Sequence, residues 1–369
     1  MPIPGQEKLK ILFAGGGTGG HLFSGIAVAE EIRRRMPKAE VLFVGTPFGL
    51  EKSIVPEAGF PLRFIEATPL KGSGWSARLK SLLRLPRAYG QSKKILKEFS
   101  PDVVVGIGGY ASGPLTLAAH FSKIPTAIIE QNSIPGFTNR QLGRFVDKIF
   151  IAFARAAAYF NAKKTLLSGN PTRRFELPTL EKESDRCCIF ILGGSQGAHT
   201  LNVAMMEALP LLKADLSRFH FIHQSGPQDF AAVEAAYQKY EAAAEVFAFS
   251  QNLSPHFARA DLMVCRAGAG TITELQNLGL PAILVPYPFA ADDHQLGNAE
   301  EMVEAGAAEL ILNKDFNGAR LAERLRHYLT APELRRQMKQ AALRLAKPEA
   351  AAEVFQACLA LIRKTQAQS

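Results

Sequence analysis

The residue of this chain best suited to move a proton is a histidine that closes a run of glycines. The run GGGTGGH occupies positions 15–21 and ends on His21. An imidazole where a glycine loop becomes a helix can take a proton near neutral pH. It can also cap the turn or touch a phosphate. The spacing Gly15-x-Gly17-x-x-Gly20 matches a dinucleotide fingerprint, whose glycines let backbone N–H groups approach a phosphate at a helix N-terminus. A nicotinamide enzyme also needs an Asp or Glu at the end of the next strand to hold a ribose. That strand, VLFV at 41–44, runs into Gly45 and Thr46, so the acid is missing and a dehydrogenase is disfavoured.

A second glycine turn, GGSQG at 193–197, lacks the fingerprint but keeps its physics. Its N–H groups and the Ser195 hydroxyl suit a diphosphate, the alternative being a tight strand-to-helix turn. Glu274 ends AGAGTITE, on an expected first helical turn. A carboxylate there can accept both hydroxyls of a ribose, or it is an acid favoured at a helix N-terminus. Asp292, Asp293, His294 and Gln295 follow a proline-rich loop at a strand end, where α/β sheets place ligands. They lack an evident metal-ligand partner set, so sugar hydroxyls fit them better than a metal ion.

These residues need strands and helices to position them, and the chain repeats the required unit. FAGGGTGGH at 13–21 aligns without a gap to ILGGSQGAH at 191–199. PDVVVGIGGYAS, from Pro101, echoes ADLMVCRAGAGT, from Ala260, and IPTAIIEQN, from Ile124, echoes LPAILVPYP, from Leu280. The order is the same, which points to a duplicated βα domain; His199, the counterpart of His21, is read as structural. Short runs at 41–44, 103–105, 127–129, 189–192, 262–265 and 282–285 are apolar throughout, as strands buried on both faces of a parallel sheet are. They alternate with helical spacing. The expected fold is therefore α/β: two Rossmann-like, doubly wound parallel-sheet domains facing each other across a cleft. Two domains also suit 369 residues. We place the first at 1–168 and the second at 169–349, with a last helix at about 350–369 a candidate to pack back onto the first.

The net charge of +9 suits phosphorylated substrates, anionic lipid or nucleic acid. Its distribution is more informative. Between 68 and 97 stand eight Lys or Arg and no Asp or Glu: Lys71, Arg78, Lys80, Arg84, Arg87, Lys93, Lys94 and Lys97. Trp75, Leu79, Leu82, Leu83, Leu85 and Tyr89 sit among them, a composition suited to an anionic membrane surface; a solvated helix with its leucines in the core is the alternative. No nucleic-acid module accompanies the patch, so no nucleic-acid partner is expected. Nothing near the start has signal-peptide character, and no window approaches the roughly 20 apolar residues of a spanning helix. A cytoplasmic protein able to sit on a membrane is the expectation. Cys187, Cys188, Cys265 and Cys358 have no metal-ligand spacing and read as reduced and buried.

With these motifs in hand, the chain resembles the MurG family of bacterial peptidoglycan glucosaminyltransferases, of the GT-B class. The resemblance covers essentially the whole chain: GGGTGGH at 15–21, GGYASGP at 108–114, EQNSIPGFTNR at 130–140, GNPTR at 169–173, GGSQGA at 193–198, CRAGAGTITE at 265–274 and DDHQLGNA at 292–299. It implies an inverting transfer of GlcNAc from UDP-GlcNAc to the 4-hydroxyl of the MurNAc-pentapeptide on undecaprenyl diphosphate, lipid I becoming lipid II. It further implies a peripheral protein of the cytoplasmic face of the inner membrane, with no cofactor and no metal. By resemblance Glu274 binds ribose, and Ser250 with the backbone of Ala269, Gly270, Thr271, Ile272 and Thr273 lies near the uracil. Ser195 and Arg173 hold the diphosphate, Gln295 and Asn132 read GlcNAc hydroxyls, and Thr18, Gly19 and Gly20 approach the reacting centre. Two positions depart from the family pattern: Ile129 stands where His is frequent, leaving His21 the better base, and His294 stands where some members have Gln. Two other readings are a non-catalytic binder of nucleotide or lipid diphosphates, and a UDP-GlcNAc epimerase of the same fold class. The basic, leucine-rich stretch argues against the epimerase.

Overall fold

The computed structural model describes residues 8–67, 75–173, 186–194 and 196–367, with the backbone alone at 75–84 and 291. The chain divides into two units, Met1–Arg174 with Lys347–Ser369, and Phe175–Ala346.

In the first unit, strands and helices alternate: β1 (Lys10–Gly15), α1 (Gly19–Arg35), β2 (Glu40–Gly45), α2 (Glu51–Glu57), β3 (Leu62–Phe64), α3 (Trp75–Phe99), β4 (Val103–Gly108), α4 (Ser112–Phe121), β5 (Thr126–Glu130), α5 (Phe137–Leu142), β6 (Lys148–Ile151) and β7 (Thr165–Leu167). The seven strands are parallel, in the order β3-β2-β1-β4-β5-β6-β7. β4 is buried along its whole length, which explains its run of Val and Ile: both faces are covered by helices. α1 forms because Leu22, Ile26, Ala29 and Ile32 recur at helical spacing and bury one face, while Arg33, Arg34 and Arg35 meet the negative end of its dipole.

The second unit repeats the pattern: β8 (Cys187–Leu192), α6 (His199–Leu211), β9 (Phe219–Gln224), α7 (Phe230–Lys239), β10 (Ala244–Phe247), α8 (Ser254–Arg259), β11 (Leu262–Cys265), α9 (Ala269–Leu278), β12 (Ala282–Leu284), α10 (His294–Glu304), β13 (Ala308–Leu310), α11 (Gly318–Thr330) and α12 (Pro332–Leu345). Its parallel sheet runs β10-β9-β8-β11-β12-β13. Counted from each unit's first strand, both sheets share the order 3-2-1-4-5-6. The three sequence echoes fall on equivalent strands: β1 with β8, β4 with β11, β5 with β12.

The last helix, α13 (Ala350–Gln366), belongs to the first unit. Val354, Phe355, Cys358, Leu359 and Ile362 enter the same core as Ile11, Phe13, Val28 and Ile32. Truncating a buried Phe such as Phe355 to Ala costs about 3–5 kcal/mol. The connection leaving the first unit is anchored at Asn170, whose Oδ1 accepts from the Ser24 hydroxyl of α1 at 2.7 Å. All four cysteines are buried thiols, and burial pushes Cys188, Cys265 and Cys358 up to about 12. Among the described residues no helix is long and apolar enough to cross a membrane.

Candidate functional site

In each sheet the strand order reverses beside its first strand, and ligands of such sheets bind at the carboxyl ends next to that point. The first unit places there the turn after β1 and the turn after β4. These two turns touch: the Gly16 N–H donates to the Gly108 carbonyl at 3.1 Å. Thr18 caps α1, Gly19 and Gly20 are its first residues, and His21 follows them, half-buried. The imidazole Nδ1 lies 3.3 Å from the Gly16 carbonyl oxygen and 3.2 Å from the Thr18 hydroxyl. A carbonyl only accepts, so the Gly16 contact favours the tautomer with the hydrogen on Nδ1 and the basic lone pair on Nε2, the Thr18 hydroxyl then accepting or turning away. Gly108 admits the ring edge: a Cβ there would come within 2.9 Å of it.

This turn differs from a phosphate cradle in one respect. The Gly17 N–H donates to a Glu51 carboxylate oxygen at 2.7 Å, so Gly16 and Gly17 direct both their N–H groups into the protein. An anion would meet only the open first turn of α1, from Thr18 onward. The other Glu51 oxygen accepts from the Thr46 N–H at 2.7 Å and from its hydroxyl at 2.8 Å. Glu51 was not singled out from sequence, where its contact to the glycine turn runs to a backbone N–H 34 positions away. Its one visible signal is an acid two residues after the glycine-bounded turn GTPFG at 45–49.

Asn132 is half-buried just beyond β5, and its N–H donates to Glu130 at 3.0 Å. Glu130 also accepts from Gly136 N at 3.2 Å and Asn139 Nδ2 at 2.9 Å, which closes the turn that presents Asn132. Burial pushes the Glu130 carboxyl up, against the pull of the N–H groups of Asn132, Asn139 and Gly136. Arg173 is exposed and lies in the first unit.

The second unit gathers the other candidates around the turns after β8 and β11. Ser195 lies outside the described residues. The turn around it is held from below: Gly197 has φ +77°, and a Cβ there would sit 2.0 Å from the Ser225 carbonyl oxygen. Gln224, 2% exposed at the end of β9, spans two loops. Its Nε2 donates to the Gly194 carbonyl at 2.9 Å, and its Oε1 accepts from Ser250 N at 3.1 Å. Sequence reasoning missed it, although a Gln ending the strand FHFIHQ, with Phe219, Phe221 and Ile222 buried, is a visible signal. Beneath the turn His223 is buried between Tyr237 OH at 3.2 Å and Asn202 Oδ1 at 3.0 Å. His199 meets Asp229 at 3.0 Å, a structural contact on the surface side of the same network.

α9 begins at Ala269, so Glu274 stands in its second turn rather than the first, and helix-end electrostatics do not account for it. Ile272 and Thr273 are buried; Ile272 N donates to Gly268 O at 2.9 Å and the Thr273 hydroxyl to Ala269 O at 2.8 Å. The N–H groups of Ala269, Gly270 and Thr271 form the first turn, which needs partners from outside the helix. Gln295 is half-buried, with its Oε1 accepting from Tyr287 N at 2.9 Å, which commits its oxygen and turns its chemistry toward donation. Just before it Asp292 and Asp293 adopt left-handed φ of 54° and 52°. Such backbone costs on the order of 1–3 kcal/mol per residue and collects at ligand-binding turns. Among the described residues no group of three or more His, Cys, Asp or Glu gathers as metal ligands would.

Of the basic stretch, the backbone of α3 is helical from Trp75, and the side chains of Trp75, Leu79, Leu82 and Leu83 lie outside the described residues. Leu85 is 36% exposed. Arg87 pairs with Glu66 at 2.9 Å, and Ala88, Ser92, Ile95 and Leu96 bury the later turns.

Comparison with known proteins bears on both units. The chain matches the glycosyltransferase family 28 N-terminal domain over residues 11–151 and the family 28 C-terminal domain over residues 188–354. It is 48% identical over 359 residues to the UDP-N-acetylglucosamine–N-acetylmuramyl-(pentapeptide) pyrophosphoryl-undecaprenol N-acetylglucosamine transferase of Anaeromyxobacter sp. strain K, covering 96% of this chain and 94% of that one. The protein of the same name from Syntrophus aciditrophicus is 44% identical over 358 residues, covering 96% and 99%. The crystal structure of Acinetobacter baumannii MurG superposes with a TM-score of 0.80 at 30% identity, covering 96% and 99%.

Proposed function

The chain belongs to glycosyltransferase family 28 and, within it, to the MurG family, and on that premise we propose how its residues carry the reaction. It is an N-acetylglucosaminyltransferase that moves GlcNAc from UDP-GlcNAc to N-acetylmuramyl-(pentapeptide) pyrophosphoryl-undecaprenol, a step of peptidoglycan synthesis. The observation that carries the residue assignment is the seat of His21. Its Nδ1 lies against the Gly16 carbonyl, a contact that favours the Nδ1–H tautomer, in which Nε2 is the basic nitrogen.

The 4-hydroxyl of the acceptor's MurNAc attacks the anomeric carbon of GlcNAc. Its proton passes to His21 Nε2. The bond from the anomeric carbon to the β-phosphate oxygen breaks, and UDP departs with the electron pair. Attack opposite the leaving group inverts the anomeric configuration. The second unit holds the donor: Glu274 accepts from the ribose hydroxyls, Ser250 and the first turn of α9 meet the uracil, and Ser195 with the turn after β8 meets the diphosphate. Arg173 supplies positive charge to the departing UDP. Gln295 and Asn132 read the GlcNAc hydroxyls, and Thr18, Gly19 and Gly20 border the reacting atoms.

The acceptor's lipid tail stays in a bilayer, so the enzyme works at a membrane surface; the cytoplasmic face of the inner membrane is the one we assign to it. Trp75, Leu79, Leu82, Leu83 and Leu85, with Arg78, Lys80, Arg84 and Arg87, form the contact, apolar side chains entering the headgroup region among cations.

The test is product analysis. Purified protein, UDP-GlcNAc and a short-chain lipid I analogue should yield an acceptor heavier by one GlcNAc, with UDP released only when acceptor is present. UDP release without acceptor, or binding without release, would contradict transfer.

A further inference from the structure

The two contacts that hold His21 and Glu51 meet on one peptide group. The Gly16 carbonyl, which receives the His21 Nδ1–H, and the Gly17 N–H, which donates to Glu51, are the two ends of the same amide. No peptide bond among the described residues is cis, so this amide points its oxygen and its hydrogen in opposite directions. The carboxylate therefore sits on one edge of the peptide plane and the imidazole on the other, at 2.7 Å and 3.3 Å.

We propose that Glu51 is a positioning residue for His21, acting through the Gly16–Gly17 peptide as a carboxylate–amide–imidazole relay. This rests on the reading of His21 as the base.

Three features support it. Glu51 is 1% exposed and fixed at both oxygens, so it does not wander from the amide. The fit is close: a Cβ at Gly16 would lie 2.5 Å from the carboxyl carbon, one at Gly45 2.5 Å from its Cγ, and one at Gly49 2.0 Å from its Oε2. Only glycines let that carboxylate reach the turn. The amide's other neighbours are also held, because Gly16 N is bound to Gly108 O.

The physics resembles a carboxylate bonded directly to a histidine, with one amide inserted. A carboxylate accepting from an amide N–H adds negative charge to the carbonyl oxygen of that amide, and hydrogen bonds in chains strengthen one another. The strengthened oxygen holds the Nδ1–H tautomer, fixes the ring, and favours the imidazolium that forms when Nε2 takes the acceptor's proton. Among the groups against the ring are the Thr18 hydroxyl of the helix cap, the Gly16 carbonyl and the backbone of Gly108 at the end of β4. The carboxylate behind that layer is Glu51, from α2.

The test has two arms. In the wild-type protein, nitrogen NMR of labelled histidine should find neutral His21 as the Nδ1–H tautomer; the Nε2–H tautomer would overturn the relay. In Glu51→Gln the charge is lost and an amide NH2 replaces one acceptor. Outer partners of metal-ligating histidines are worth about 10–100-fold, and by analogy kcat should fall on that scale. The acid limb of the kcat profile should move to lower pH, because a histidine without the nearby charge is less basic. Donor affinity should hold. A Glu51→Gln protein with wild-type melting temperature, kcat and acid limb would overturn the proposal. If Glu51→Gln does not fold, the wild-type tautomer decides alone. If His21→Ala keeps its kcat, the base assignment fails and the relay with it; if His21→Ala is inactive and folded Glu51→Gln is not impaired, only the relay fails.

Discussion

Gln224 donates to the Gly194 carbonyl at 2.9 Å, and this contact fastens the turn after β8 to a side chain that also holds the Ser250 loop. One buried amide thus sets the spacing between the two segments assigned to the diphosphate and the uracil. Replacement by Leu removes both bonds and leaves a carbonyl and an N–H without their partner, at about 1–3 kcal/mol for each group left unsatisfied. Gln224→Leu should weaken UDP-GlcNAc binding by about 10-fold or more, at about 1.4 kcal/mol per decade. Gln224→Glu should behave similarly, since a carboxylate cannot donate to Gly194. Calorimetric titration reads the change, and unaltered donor affinity in both variants would separate Gln224 from the donor site.

Glu274 is expected to carry much of the ribose recognition. A hydrogen bond to a charged group is worth about 1.5–3 kcal/mol, so Glu274→Ala should raise the donor dissociation constant by at least about 10-fold. Titration with UDP-GlcNAc and with UDP should show the same loss for both, because the ribose is common to them. A loss confined to UDP-GlcNAc would assign Glu274 to the sugar instead.

The strands of both sheets were legible because each is a short apolar run, and the duplicated order 3-2-1-4-5-6 was legible in three echoes between the halves. Glu51 and Gln224 were not, for a common reason. Glu51 reaches Gly17 across 34 positions and Gln224 reaches Gly194 across 30, and in both cases the partner is a backbone atom, which carries no residue-type signal. Sequence showed that 15–17 is a glycine turn; only the fold shows that two of its N–H groups point inward. Glu274 reads from sequence as a first-turn residue, whereas α9 starts at Ala269 and puts it in the second turn; boundaries are the least legible feature of a helix.

Buried His223 should make the second unit sensitive to acid. Burial lowers its pKa from 6.5 to about 3, with the charge of Asp229 pulling weakly the other way. The unfolded chain therefore binds a proton between about pH 6.5 and 3 that the folded chain refuses. Stability should fall as pH falls through that window, by up to about 1.4 kcal/mol per pH unit from this residue. His223→Gln should lower the melting temperature at neutral pH, since it disturbs the contacts to Tyr237 and Asn202, and should flatten the slope below pH 6.5. An equally steep slope in the variant would assign the acid sensitivity elsewhere.

Reversible binding to anionic vesicles, weakening as salt rises, is expected of the α3 stretch. Each basic residue near such a surface is worth about 1 kcal/mol. Leu79→Glu with Leu82→Glu should reduce vesicle sedimentation while activity on a soluble, short-chain acceptor survives. A double variant that folds and sediments as well as wild type would remove these leucines from the contact. One that loses its thermal transition would place them in the core.

His21 is the group proposed to take the acceptor's proton, and single-turnover kinetics of His21→Ala measure that most directly. With donor and acceptor both saturating, the chemical step should slow by about 10²–10⁴-fold, the usual scale for losing a general base. The UDP-GlcNAc dissociation constant should stay near that of wild type. A chemical step at the wild-type rate, with only a raised acceptor KM, would make His21 a binding residue and contradict the mechanism.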